Sequence, residues 1–164
     1  MGAPELSIRA IRARPVIAPL PRPLRTAVGD ILSAPLVLVD VLTNEGITGR
    51  GYAFAYTPLT LRALVHFLND LAPELVGTSV APCSRMLQLE KRLRLVGWQG
   101  FAGMAVGALD MALWDALSCA VELPLAVHLG GEVRPLPATT ASELSIPARI
   151  CPGWSSRSKT DSRR

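Results

Sequence analysis

The sequence predicts an α+β domain, a three-stranded antiparallel sheet followed by a three-helix packet. Three observations predict it. Up to Tyr56 the apolar residues alternate or form short β-branched runs. Beyond Thr57-Pro58 they recur at helical spacing. Phe101–Leu129 is then nearly uncharged, as a central helix requires.

Leu6, Ile8 and Ala10 alternate with Ser7 and Arg9 before Ile11 breaks the register, which predicts a strand with an irregularity. Residues 19–26, PLPRPLRT, hold three prolines and read as a stiff loop. PLVLVDVLT (35–43) and ITGRGYAFAY (47–56) flank Asn44-Glu45-Gly46, a β-hairpin pattern. Thr57 can cap a helix and Pro58 suits its first turn. Leu61, Leu64, Val65, Leu68, Leu71 and Leu75 follow on one face up to Gly77. A second helix is expected from Pro82 to Val96–Gly97, with Met86, Leu89 and Leu93 inward, and a third from Gly100 to Val121. Gly130-Gly131 ends one further short piece, and VRPLPATTA (133–141) reads as extended. From 142 onward serine, arginine and proline dominate and periodicity is lost, which predicts a disordered tail.

Composition narrows the function classes. The 164 residues are 49% hydrophobic and 18% charged, with 17 Lys+Arg against 13 Asp+Glu. Most of the net +4 falls after residue 141, so the body carries no basic face of the kind nucleic acid requires. Asp110, Asp115 and Glu122 interrupt the apolar segment from Phe101, which therefore reads as a buried soluble helix, not a membrane span. Cys83, Cys119 and Cys151 lack zinc or disulfide spacing and fit a reducing cytoplasm. The glycines at 97, 100, 103 and 107 form no phosphate-binding pattern and read as helix-packing positions. Asp110 and Asp115 lie about 140° apart on a helix, so they do not face one reacting atom, and structural roles are expected. His66 and His128 have no partner at metal spacing, and no serine or cysteine nucleophile motif is present.

The stretch AVGALDMALWDALSCAVELPLAVHLG (105–130) resembles the N-terminal signature of the mandelate racemase/muconate lactonizing enzyme family of the enolase superfamily. The matches are Ala105, Gly107, Ala108, Leu109, Asp110, Ala112, Trp114-Asp115, Pro124-Leu125 and Leu129-Gly130. Ser118, Cys119 and His128 depart from it. TAVGDILSAPLVLVDV (26–41) and GYAFAYTP (51–58) resemble the mandelate racemase branch in particular.

This resemblance implies a capping domain over 1–132, a first barrel strand or linker at 133–141, and a tail at 142–164 that reads as truncated or frameshifted. It implies an enzyme that abstracts the proton α to the carboxylate of a 2-hydroxy acid, with Mg²⁺ stabilising the enediolate. The family's Lys-x-Lys base, its His–Asp pair and its three metal carboxylates belong to barrel strands and have no counterpart here. A barrel needs roughly 200–250 residues. Catalytic residues, metal ligands and a cofactor are therefore expected to be absent from this chain, Mg²⁺ being a property of the full-length family. Whether the chain counts as an enzyme stays open at this point. By position in the matched motifs, Leu24, Ile31, Phe54 and Tyr56 correspond to substrate-facing residues. Arg22 and Arg25 depart from the racemase pattern and favour polyhydroxy, sugar-acid substrates. The alternatives to a racemase lid are the lid of a sugar-acid dehydratase and a non-catalytic fragment that docks on a full-length homologue. Self-association through the exposed barrel-facing surface is expected. Neither a nucleic acid nor a membrane is an expected partner.

Overall fold

A computed structural model describes residues 5–26 and 29–137. The proposed tail at 142–164, with Cys151, lies outside them, as do residues 138–141 of the segment expected to be extended. Three antiparallel strands, β1 (Ile8–Thr26), β2 (Gly29–Thr43) and β3 (Thr48–Phe54), lie in the order β1-β2-β3. The helices α1 (Pro58–Leu75), α2 (Pro82–Arg92), α3 (Phe101–Ala120) and the single turn α4 (Leu125–His128) follow. The α+β reading stands.

Every second residue of β2, from Val37 through Val39 and Val41 to Thr43, is fully buried. Ile11, Ala13 and Ala53 lie on the same side of the sheet by register. This face meets α1, on β1 and β2, and α3, on β3 and β2. Leu61, Leu64, Leu68, Leu71 and Leu75 are the buried stripe of α1. The helix starts where the sequence predicts, because the Thr57 side chain accepts the Leu59 N–H and Pro58 occupies the first turn. Although α3 is long and apolar enough to cross a membrane, it is the core helix of the sheet, half buried inside the domain.

Close approach is what α3 requires of β3. A Cβ added to Gly49 would lie 2.0 Å from the Ala112 carbonyl oxygen, and one on Gly51 would lie 2.2 Å from that of Ala108. The inward side of β3, Gly49, Gly51 and Ala53, is thus a groove for the backbone of α3, which presents Ala105, Ala108, Ala112 and Ala116. Among the helix glycines, Gly103 does pack closely, against the Trp98 carbonyl, whereas Gly107 has open space around it.

Two elements differ from expectation. Residues 19–26 continue β1 as strand instead of forming a loop. The ladder shifts register between Pro19 and Leu24 and then resumes with Leu24↔Ile31, Arg25↔Asp30 and Thr26↔Gly29. Pro21 and Pro23 are tolerated because they fall in the unpaired stretch 20–23 of β1, an edge strand, where a missing N–H removes no ladder bond. The expected irregularity is present, but between Ile8 and Ala10, just before Ile11 where the alternation breaks in the sequence. Its cause is a second set of bonds: Gly77 N–H donates to the Ile8 carbonyl and Ile8 N–H to that of Thr78. Helix α2 stops at Arg92, and Leu93–Gly97 close as a turn with Gly97 at φ +84°. Residues 131–137 carry no regular element and are exposed.

Candidate functional site

The hairpin β1–β2 outruns its neighbours. β3 reaches only to Leu36↔Phe54, and one further bond, Ala55 N–H to the Pro35 carbonyl, ends that ladder. From there to Thr26 and Gly29 the two strands form an unsupported ribbon. Ile17, Leu24 and Leu32 are exposed on it, Leu32 at 65%. The Thr26 hydroxyl donates to the Gly29 carbonyl at 2.6 Å beside the tip.

Two of the four candidate substrate residues are direct partners on this ribbon. Leu24 pairs with Ile31, Leu24 exposed and Ile31 half-buried. The other two lie where β3 gives way to α1. The Phe54 and Tyr56 rings meet edge to face, centroids 4.9 Å apart at 67°. Tyr56 is 70% exposed and stands at φ +59°, a conformation that disfavours any side chain. It forms the centre of a three-residue turn closed by Thr57 N–H donating to the Ala55 carbonyl at 2.6 Å. The Thr60 hydroxyl lies 2.6 Å from the same carbonyl and 2.9 Å from that of Thr57, which holds the turn against a strain of about 1–3 kcal/mol.

The four residues therefore form two pairs. Five residue steps along β2 separate the Ile31 rung from the Leu36–Phe54 rung, roughly 17 Å of strand. Strand alternation also puts Ile31 on the side of Val37 and Phe54 on the side of Leu36. Arg22, the sugar-acid indicator, is exposed in the unpaired stretch 20–23 of β1.

The remaining polar candidates have structural settings. Asp115 accepts the Arg50 N–H at 2.8 Å, capping a donor on the open edge of β3. Asp110, half-buried, has its carboxyl held above the usual aspartate range by desolvation. It lines a shallow groove of about 600 Å³ between α2 and α3, with Cys83, Met86, Leu87, Glu90 and Trp98. His128 meets Trp114 edge to face, and His66 is exposed. Among the described residues no three of His, Cys, Asp and Glu converge as a metal-binding group. The described side chains therefore do not form a site that fits Mg²⁺. The arrangement can grip an apolar or aryl group and offer one phenol hydroxyl; it holds no acid–base pair.

Sequence reasoning did not find the positive φ of Tyr56, because nothing local in FAYTP demands it. Nor did it find the role of Arg50, whose backbone alone is engaged by Asp115.

Residues 8–130 match the mandelate racemase/muconate lactonizing enzyme, N-terminal domain, family. The solved structure of an enolase from Bradyrhizobium complexed with magnesium and mandelic acid is 48% identical, with a TM-score of 0.79 over 84% of this chain and 38% of that one. The o-succinylbenzoate synthase of Geobacillus stearothermophilus is 29% identical over 132 residues, 77% of this chain and 34% of the relative. A D-galactonate dehydratase family member of Oceanicola granulosus is 34% identical over 99 residues, 60% of this chain and 24% of that protein. This chain thus spans about a third of the length of its first curated relative. The matched profile, the three-strand sheet and the helices that follow it agree, and the chain belongs through its N-terminal domain to the mandelate racemase/muconate lactonizing enzyme family of the enolase superfamily.

Proposed function

We propose that this chain is the capping, substrate-selecting domain of a Mg²⁺-dependent, cytoplasmic racemase-type enzyme that abstracts the proton α to the carboxylate of a 2-hydroxy acid. The observation that carries the reading is the strained, exposed Tyr56 set edge to face with Phe54, at the junction of β3 and α1. Strain of this kind persists only where surrounding bonds over-determine it, and it accompanies ligand contact. An aromatic edge with one hydroxyl suits an aryl or apolar 2-hydroxy acid. Similarity to the Bradyrhizobium enolase, complexed with mandelic acid, supports the same substrate class. Closure of the ribbon would carry Leu24 and Ile31 toward the aromatic pair, and the bases and metal carboxylates would come from a barrel.

The purified chain is expected to give no α-proton exchange with mandelate and Mg²⁺ in deuterated water. A chimera placing residues 8–130 on the barrel of the Bradyrhizobium enolase is expected to exchange it, and Tyr56→Ala in that chimera to raise KM about tenfold, roughly the loss of one buried contact. Exchange by the isolated chain, or a chimera indifferent to Tyr56, overturns the reading. A second reading, the lid of a sugar-acid dehydratase, is favoured by exposed Arg22 on the ribbon and by similarity to the Oceanicola relative. Preference of the chimera for galactonate over mandelate would select it.

A further inference from the structure

The groove of about 600 Å³ between α2 and α3 lies on the side of α3 turned away from the sheet. Gly103, Gly107, Asp110 and Trp114 follow one another along that side, opposite the alanines that face β3. Met86, Leu87 and Trp98 present apolar surface to the groove, Leu87 at 53% exposure and Trp98 at 37%. Glu90 and Asp110 add two carboxylates, and no cationic side chain lines it among the described residues. A Cβ added to Gly107 would meet nothing within 4 Å. Packing inside the domain therefore does not account for this glycine, which weakens a helix interior. Apolar surface bordered by charges of one sign fits a partner that is apolar and cationic.

The chain carries such a segment itself. Residues 146–157, IPARICPGWSSR, hold Ile146, Ile150 and Trp154 together with Arg149 and Arg157, and no acidic residue occurs between Glu143 and Asp161. They lie outside the described residues, but the place from which the chain sets out toward them is known. Trp114 continues the Gly103–Gly107–Asp110 line by one turn, and the His128 ring of α4 meets it at 6.1 Å between centroids. Asp110 is thus only about 6 Å along α3 from the residue on which the last helix rests. Fourteen residue steps from Pro137 to Cys151 reach up to about 50 Å, against roughly 17 Å for the length of α2. We propose that residues 146–157 fold back into the α2–α3 groove of their own chain, with Ile150 and Trp154 against Met86, Leu87 and Trp98, and with Arg149 and Arg157 beside Glu90 and Asp110. A free basic peptide offers the same chemistry, but the tether gives this segment a local concentration that a free one lacks. None of these residues belongs to the ribbon or to the Phe54–Tyr56 turn, so docking stands or falls independently of the substrate reading.

The chain's own cysteines report on the docking without any substitution. Cys83 lines the groove and Cys151 lies within the segment. Cys119 is also exposed, but nine residues past Asp110 it stands on the opposite side of α3. The full chain, dilute and treated with a short dimaleimide, is mapped by mass spectrometry. Cys151 is expected to link to Cys83 at least about tenfold more than to Cys119, because a docked segment holds its thiol near only one of them. Arg149→Glu with Arg157→Glu, a change that touches none of the described residues, is expected to bring the two yields within about twofold of each other and to speed alkylation of Cys83 by iodoacetamide. Glu90→Gln with Asp110→Asn is expected to act in the same direction. Equal linkage of Cys151 to both cysteines in the parent chain overturns the proposal. So do links formed only between two chains, or a preference for Cys83 that the arginine variant leaves unmoved.

Discussion

Gly49 shows how one missing methyl group fixes a layer spacing. Glycine is unfavourable in a strand on entropy alone, but here the inward side of β3 must admit the α3 backbone. A Cβ at this position would meet the Ala112 carbonyl at 2.0 Å and the Ala116 amide nitrogen at 2.6 Å. Both are backbone atoms and neither can rotate away. Gly49→Ala is therefore expected to destabilise the domain by at least about 3 kcal/mol, the upper range for overpacking, read as a lowered urea midpoint. A loss under about 1 kcal/mol would mean that α3 moves freely over β3. Ser118 bears a smaller fault. Its hydroxyl is buried without a hydrogen-bond partner among the described residues, a burden of about 1–3 kcal/mol. Ser118 is also one of the three positions at which 105–130 departs from the signature it resembles.

At the scale of elements, the β2–β3 hairpin is tied to the chain's start by one carboxylate. Glu45 in the turn accepts the Ser7 N–H at 3.0 Å and the Ser7 hydroxyl at 2.9 Å, while the Asn44 side chain donates to that hydroxyl at 2.8 Å. The Ser7 backbone bond is the main reason the Glu45 carboxyl lies below its ordinary range. A carboxyl depressed in the folded state contributes stability above its unfolded value, lost as pH falls through the folded one. Glu45→Gln should therefore melt at lower temperature than the parent at neutral pH. That gap should close as the pH drops below about 4.3 and on through the folded value. A gap independent of pH would assign the effect to shape instead of charge.

The same scale shows what the sequence made legible. Thr57-Pro58 announced the start of α1 because both signals are local. The fate of PLPRPLRT was not local: three prolines end a central strand, yet on the edge next to β2 the ladder skips residues 20–23 and resumes at Leu24, and position in the sheet cannot be read from the segment. The two candidate site pairs were identifiable through motif resemblance, while their separation along β2 needed the register. The positive φ at Tyr56 needed the Thr60 hydroxyl, four residues on, to hold the turn.

For the whole molecule, the packing divides stability unevenly. Val37, Val39 and Val41 sit at 0% exposure under α1 and α3, so their segment opens only when the domain does. Among the described residues, the ribbon beyond Pro35 has neither helix nor third strand against it. A two-stranded hairpin alone is marginal in water, and segments with few buried contacts open locally at low cost. The Pro19–Leu24 register shift leaves residues 20–23 unpaired and weakens it further. Native-state hydrogen exchange should therefore find the amides of Ala18 and Ala34, cross-strand partners on the ribbon, at least roughly 100-fold less protected than those of Leu38 and Val39. Independent opening is also what the lid reading needs. Leu24 and Ile31 can travel toward Phe54 and Tyr56 only if the ribbon bends without unfolding the sheet. Equal protection along the full length of β2 would show the ribbon to be rigidly part of the core, and the two residue pairs would then stay apart, as the folded chain holds them.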